Sequence, residues 1–285
     1  MKTFTIGKKK IVLKEEWMVG FITTWIVGLL AHAYRFFNFL PIWDSIYNFT
    51  GVGSTYTLGR WFLGYAGLIT SMFDLPWING AFSLFYISIV VILLTEMFEI
   101  KNKGMIVLCA AIFVSFPTVV SSFAYMYTAD AYLLAFLLAT LAVYLTWCVK
   151  KWGTIAGMVC LAFAMGIYQA YATVAIVLVL LYIIRQFVIE KLDFLEAVRK
   201  DLKYLGMLVG GAVLYAVILK ITLIRYNITL PGYQGIGALG IMSLGQYKAA
   251  LQKTLYHFRL ILGMEHGVET VSYTHLRAHE TRSNL

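Results

Sequence analysis

Residues 131–149 read AYLLAFLLATLAVYLTWCV, and Lys150 and Lys151 follow directly. A helix needs about 20 consecutive apolar residues to cross the hydrocarbon of a bilayer, and this run has that length. Lysines close it, with Trp147 and Trp152 beside them. Aromatic and basic residues gather where a spanning helix meets the headgroups. The stretch therefore reads as one membrane pass.

Similar runs lie on both sides of it. Trp17–Phe37, Ile78–Phe98 and Gly104–Phe123 precede it, and Tyr204–Leu223 follows. The apolar run Gly153–Ile184 is several turns longer than a bilayer accommodates in one helix. It reads as two helices, 153–168 and 171–187, folded back at Tyr168-Gln-Ala-Tyr171. The expected fold is an all-α membrane protein with about seven transmembrane helices. Residues 59–73 are apolar but short of a span, and an interfacial helix in the first outer loop fits them.

Composition agrees. Of 285 residues, 61% are hydrophobic and 13% charged, against roughly 25% charged in soluble domains. A soluble core in so short a chain has no room for that much apolar surface. The net charge of +9 would point to nucleic acid only if the cations formed a patch. They sit instead in short clusters between apolar runs, so no nucleic-acid partner is expected. Cys109, Cys148 and Cys160 lie inside apolar segments with no CxxC pair, and read as small apolar residues rather than a disulfide framework. The first apolar run is too long for a signal-peptide core and has no clean cleavage site.

Charge also sets an orientation. With residues 1–16 on the cytoplasmic side as a basic N-terminus, that side carries Lys2, Lys8, Lys9, Lys10, Lys14, Lys101, Lys103, Lys150, Lys151, Arg185, Lys191, Arg199, Lys200 and Lys203. Up to residue 225 the other side carries only Arg35, Arg60, Lys220 and Arg225. This asymmetry is the positive-inside pattern. Trp43, Trp61 and Trp77 then form an outer aromatic belt, and Trp25 is assigned to helix packing. The expected localisation is the plasma (inner) membrane.

Residues 17–269 read as one polytopic domain. The segment 270–285, polar and without apolar period, looks like translated read-through of adapter or vector sequence. His275 and His279 within it are excluded as a metal site. On that reading the chain is C-terminally truncated, and the intact protein crosses the membrane more often.

Acids near a bilayer are costly and so informative. Three fall on the outer side: Asp44 in Pro41-Ile-Trp-Asp-Ser45, Asp74, and Asp130 in Tyr125-Met-Tyr-Thr-Ala-Asp-Ala-Tyr132. Asp44 and Asp130 are the candidate catalytic carboxylates, since one can act as a general base. The alternative for each is a solvated loop acid, or, for Thr128 and Asp130, a helix cap. Arg60, in Gly59-Arg-Trp61, runs against the positive-inside bias, and a guanidinium pairs bidentately with phosphate. Arg225 follows the same logic. Arg35 and His32 share the outer end of the first helix, where snorkelling is the default. Tyr168 and Gln169 sit at the tip of the tight hairpin, where Gln169 either binds a sugar hydroxyl or satisfies neighbouring backbone. Asn48-Phe-Thr50 and Asn227-Ile-Thr229 are glycosylation sequons, relevant only in a eukaryote. Walker, HExxH and DxD motifs are absent, and no GxGxxG follows a strand, so soluble nucleotide-sugar chemistry is not supported.

Taken together, the first-loop acid Asp44, Gly59-Arg-Trp61, Tyr127-Thr-Ala-Asp-Ala-Tyr132 and Gly166-Ile-Tyr-Gln169 resemble the O-antigen glucosyltransferase (Gtr) family, polytopic enzymes similar to the C-type glycosyltransferase superfamily. The resemblance covers roughly residues 15–265. The family often shows paired acids in the first loop, whereas Asp44 here is followed by Ser45. The resemblance implies transfer of a glucosyl group from a polyprenyl-phosphate donor, itself a membrane lipid, to a surface polysaccharide on the outer face. Arg60, with Arg225, would hold the phosphate. Asp44 or Asp130 would deprotonate the acceptor. Phosphate is already a good leaving group, so no metal or other cofactor is expected. A transporter or lipid flippase is the main alternative, but transporters carry internal repeats and midplane ionisable groups, and here the acids cluster at the outer edge. A non-catalytic membrane scaffold is the third reading.

Overall fold

A computed structural model describes residues 2–6, 9–47, 55–70, 73–191, 193–230 and 243–261. The chain divides into two units, residues 1–230 and 231–285. The first begins with an antiparallel hairpin, β1 (Lys2–Ile6) and β2 (Lys9–Leu13), pairing Lys2 with Leu13 and Ile6 with Lys9. Helix α1 (Glu15–Phe37) follows, and then the single turn α2 (Trp43–Tyr47). The short turn α3 (Leu63–Ala66) leads to the long helix α4 (Pro76–Met97). Next come α5 (Lys103–Ser115), α6 (Pro117–Ser122) and α7 (Met126–Cys148). The unit closes with α8 (Gly153–Ile167), α9 (Ala172–Arg185) and α10 (Phe194–Tyr226). A π-helical turn, Gln186–Glu190, extends α9. The second unit contains α11 (Leu244–Ile261).

Among the described residues, five runs are long and apolar enough to cross a membrane: Glu15–Phe37, Pro76–Met97, Lys103–Cys148, Gln169–Glu190 and Arg199–Tyr226. The 46-residue run doubles back. Lys103 pairs with Glu15 at the start of α1, while the Val114 carbonyl accepts from His32 Nε2 at 2.9 Å near the end of α1, so α1 and α5 run parallel. Asp130 of α7 then meets Asn79, in the first turn of α4. The run therefore forms an ascending α5 and a descending α7, as the split at 123–131 predicts. The apolar α8 has 15 residues, about 22 Å of rise, less than a hydrocarbon core. With α8, seven apolar helical segments alternate in direction among the described residues of the bundle.

His32 and Arg35 overturn the expectation of snorkelling. His32 is 4% exposed, and it caps a carbonyl freed where α5 breaks before Pro117. Arg35 Nε donates to the Phe123 carbonyl at 2.9 Å, and its Nη2 to Ala124. Both side chains tie α1 to the irregular crossing between α5 and α7.

Helix α7 is the hub and packs on α4, α8, α9 and α10. Its buried face is rich in small residues, Ala129, Ala131, Ala135, Ala139 and Ala142, which let helices approach where lipid supplies no hydrophobic drive between them. The opposite pattern marks the outside. On α10, Leu205, Val209, Val213, Val217 and Ile221 recur every four residues and are all about half exposed, as a lipid-facing stripe requires. Several buried hydroxyls in these helices bond back along their own helix, as Thr24 does to Gly20 and Ser88 to Leu84, so neither meets hydrocarbon unpaired. Trp25 packs against the α1–α4–α5 cluster, as assigned.

The two ends of the bundle differ. At the Glu15 end, Lys14–Glu96, Lys103–Glu15, Arg185–Glu99, Arg185–Glu190 and Lys200–Glu190 form a ring of ion pairs. At the far end, the segment 55–70 forms short helical turns with Tyr65, Leu68 and Ile69 exposed on one side. Trp61, Leu63, Ala66, Gly67 and Thr70 are buried, and the Phe62 amide donates to the Gly166 carbonyl of α8 at 2.8 Å. The chain enters the bundle there as two short turns wedged against α7 and α8. Gly166 permits this, because a Cβ on it would meet the Trp61 ring at 2.7 Å. Trp61 is thus core rather than belt. The segment 270–285 lies outside the described residues.

Candidate functional site

The wedge delivers Arg60 to the far end of the bundle. Gly59 adopts a left-handed φ of +72°, open to glycine at little cost. A Cβ there would meet Gln169 Nε2 at 2.6 Å and Tyr215 Oη at 2.8 Å. Those two groups hold the turn. Gln169 Nε2 donates to the Leu58 carbonyl at 2.8 Å and to Tyr215 Oη at 2.9 Å, and Tyr215 Oη donates to the Gly59 carbonyl at 3.0 Å. Gln169 thus satisfies a neighbouring backbone carbonyl through its Nε2. Tyr215, which no sequence motif flagged, completes the lock from α10.

Arg60 itself lies 4.4 Å above the Tyr168 ring, and its Nη1 donates to Tyr132 Oη at 3.1 Å. Its Nε is buried without a hydrogen-bond partner. A guanidinium stacked on one face and pinned at one nitrogen presents its remaining N–H groups in a fixed direction, which suits an incoming phosphate. Tyr132 also stacks on Tyr168 with centroids 5.5 Å apart, and Tyr171 stands 6.4 Å from Tyr132. Both rings belong to the sequence motifs already quoted, on α7 and at the α8–α9 turn.

Asp44 is exposed on α2. Asp44 and Arg60 both lie within electrostatic reach of Tyr127. Asp130 faces elsewhere. It is 2% exposed. Its Oδ1 accepts from Asn79 Nδ2 at 3.0 Å and its Oδ2 from Thr70 Oγ1 at 3.1 Å. Asn79 Oδ1 also accepts the Leu75 amide at 2.9 Å. This carboxylate joins α7, the start of α4 and the end of the wedge, and both of its oxygens are occupied. It caps nothing: α7 begins at Met126, ahead of both Thr128 and Asp130, and carries no side-chain cap.

Asp74 closes the group. Both its oxygens are inaccessible and lack a well-formed hydrogen bond, with Arg35 and Ser45 beside them. Burial holds this carboxyl above the usual carboxylate range, while Arg35 pulls the other way. Arg225 is exposed on the last turn of α10, and its neighbour Tyr226 stacks on Tyr56 at 5.1 Å. Arg225 thus sits at the rim, beside the turn that leads to Arg60. Burial, aided by Tyr65, pushes the Tyr56 hydroxyl up to about 12, so it stays neutral.

The family model described as glucosyl transferase GtrII matches residues 33–264. The chain belongs to the GtrII glucosyl transferase family. Membership makes it a membrane glycosyltransferase of the glucosyl-transferring kind, with a sugar donor and a polysaccharide acceptor. The matched region of this GtrII chain includes Asp44, Arg60, Asp130, Tyr168, Gln169 and Arg225. No curated protein and no solved structure matches it.

Proposed function

We propose that the chain moves a glucosyl group from a polyprenyl-phosphate donor to a cell-surface polysaccharide, such as O-antigen, at the far end of the bundle. In this reading that end faces outward from the plasma (inner) membrane, with the N-terminus cytoplasmic. The observation that carries it is Arg60, a cation stacked on Tyr168, hydrogen-bonded to Tyr132 and fixed by a backbone lock, with a buried N–H unpaired at the membrane's edge. Such a group binds a phosphate whose lipid tail stays in the bilayer.

The chemistry then needs few groups. Asp44 takes the proton of the acceptor hydroxyl. The oxygen forms a bond to the anomeric carbon as the bond from that carbon to the phosphate oxygen breaks. The electron pair leaves with the polyprenyl phosphate, whose charge Arg60 offsets, with Arg225 at the rim assisting. The proton on Asp44 passes to bulk water, which its exposure allows. Asp130 is a positioning residue that fixes α7, and with it Tyr127 and Tyr132.

The test is donor exchange with the protein reconstituted in vesicles. Labelled glucose should reach polysaccharide from polyprenyl-phosphate-glucose and not from a nucleotide sugar. Transfer from the nucleotide sugar alone would contradict the donor assignment.

A further inference from the structure

Helix α11 is amphipathic in a particular way. Tyr247, Leu251, Leu255 and Phe258 fall on one stripe, and they are 55%, 60%, 53% and 58% exposed. Lys248 and Arg259 flank the stripe by helical angle, Lys253 lies on the opposite face, and Leu244–Ile261 contains no Asp or Glu. The helix is not among the runs apolar enough to span. We propose that α11 lies on the membrane surface and docks on anionic lipid headgroups.

Three features select that occupant. An apolar stripe with cations at its edge buries the stripe at the acyl boundary while the cations reach the headgroup phosphates. A helix bearing three cations and no carboxylate repels a second copy of itself, which disfavours self-pairing. The tether also keeps it near a bilayer: residues 227–243 separate α11 from the end of the spanning α10, so at most ~60 Å of extended chain separates them. Docking is then effectively intramolecular, and modest affinity suffices.

The experiment uses the full chain in nanodiscs of phosphatidylcholine alone or mixed with phosphatidylglycerol. Cys109, Cys148 and Cys160 are replaced by Ala, and Leu251→Cys carries an environment-sensitive fluorophore. In anionic discs the label should shift to the blue, be quenched by brominated acyl chains, and revert at high salt. A label at Lys253→Cys should remain aqueous. Adding Lys248→Gln and Arg259→Gln should lower the inserted-to-aqueous ratio roughly 30-fold, at about a fivefold preference per cation. Hydrogen exchange of the unsubstituted chain reads the same equilibrium, with amides of 244–261 protected only in anionic discs. The proposal is overturned by a label that is aqueous in both discs, by burial indifferent to lipid charge (docking on the bundle), or by burial that tracks copies per disc (self-pairing).

Discussion

Tyr215 Oη donates to the Gly59 carbonyl at 3.0 Å across 156 positions of sequence, fastening the last helix of the bundle to the residue before Arg60. The bond belongs to a three-way lock with Gln169. Tyr215→Phe leaves the Gly59 carbonyl without this donor and one Gln169 N–H without its acceptor, at a cost of about 1–3 kcal/mol. Because the lock sets where Arg60 points, the expected effect falls on donor binding. KM for the lipid-phosphate sugar should rise about tenfold, with kcat changed much less. A purely structural role would instead lower the amount of folded protein and leave KM alone.

Gly59→Ala challenges the same turn from the backbone. The new Cβ needs a left-handed conformation and space that Gln169 and Tyr215 already fill. A loss of about 1–3 kcal/mol is expected, read as a lower melting temperature in detergent. Pairing it with Tyr215→Phe should recover part of the loss, because one of the clashing atoms has gone.

Arg60→Lys keeps the charge but loses the planar fork and its stacking on Tyr168. Transfer should fall roughly 10- to 100-fold, the scale of a charged hydrogen bond, while the melting temperature stays close to that of the parent. Full activity in the lysine variant would rule out fork-like phosphate recognition.

Asp130 should behave as a structural residue. Asp130→Ala strands Asn79 Nδ2 and Thr70 Oγ1 inside the bundle and should cost about 3 kcal/mol or more. Asp130→Asn retains one acceptor oxygen and should be milder. Thermal unfolding of both variants measures the difference.

Asp74 carries a pH signature. Its folded carboxyl is raised by burial, so the ionised form is the less favourable one in the fold. Its contribution to stability is complete below the unfolded pKa and is lost as pH rises through the folded value. Asp74→Asn removes that loss. The variant should gain in melting temperature relative to the parent at pH 7–8, and the gap should close toward pH 4. A gap that widens on acidification would reverse the sign.

Much of the fold is legible in the sequence because lipid imposes one dominant rule, helix length in apolar residues. That rule locates the passes and the fold-back at Tyr168–Tyr171. It does not see tertiary contacts. The wedge at 55–70 is apolar enough to suggest an interfacial helix, but Gly166 opens a slot on α8 that draws Trp61 inside. Arg60 is visible because a far-side cation is out of place by charge bias. Tyr215 is invisible, since one tyrosine in an apolar helix carries no signal until Gly59 is beside it. Asp44 and Asp130 look equivalent in sequence, and only the fold shows that Asp130 is buried against Asn79 and Thr70 while Asp44 is exposed.

The proposed role of the exposed Asp44 as general base is tested most directly by single-turnover transfer from polyprenyl-phosphate-glucose by Asp44→Asn. The account predicts a rate loss of about 10²- to 10⁴-fold, the usual contribution of a general base, with donor binding and melting temperature unchanged. Transfer at the parent rate by the Asp44→Asn protein would contradict it.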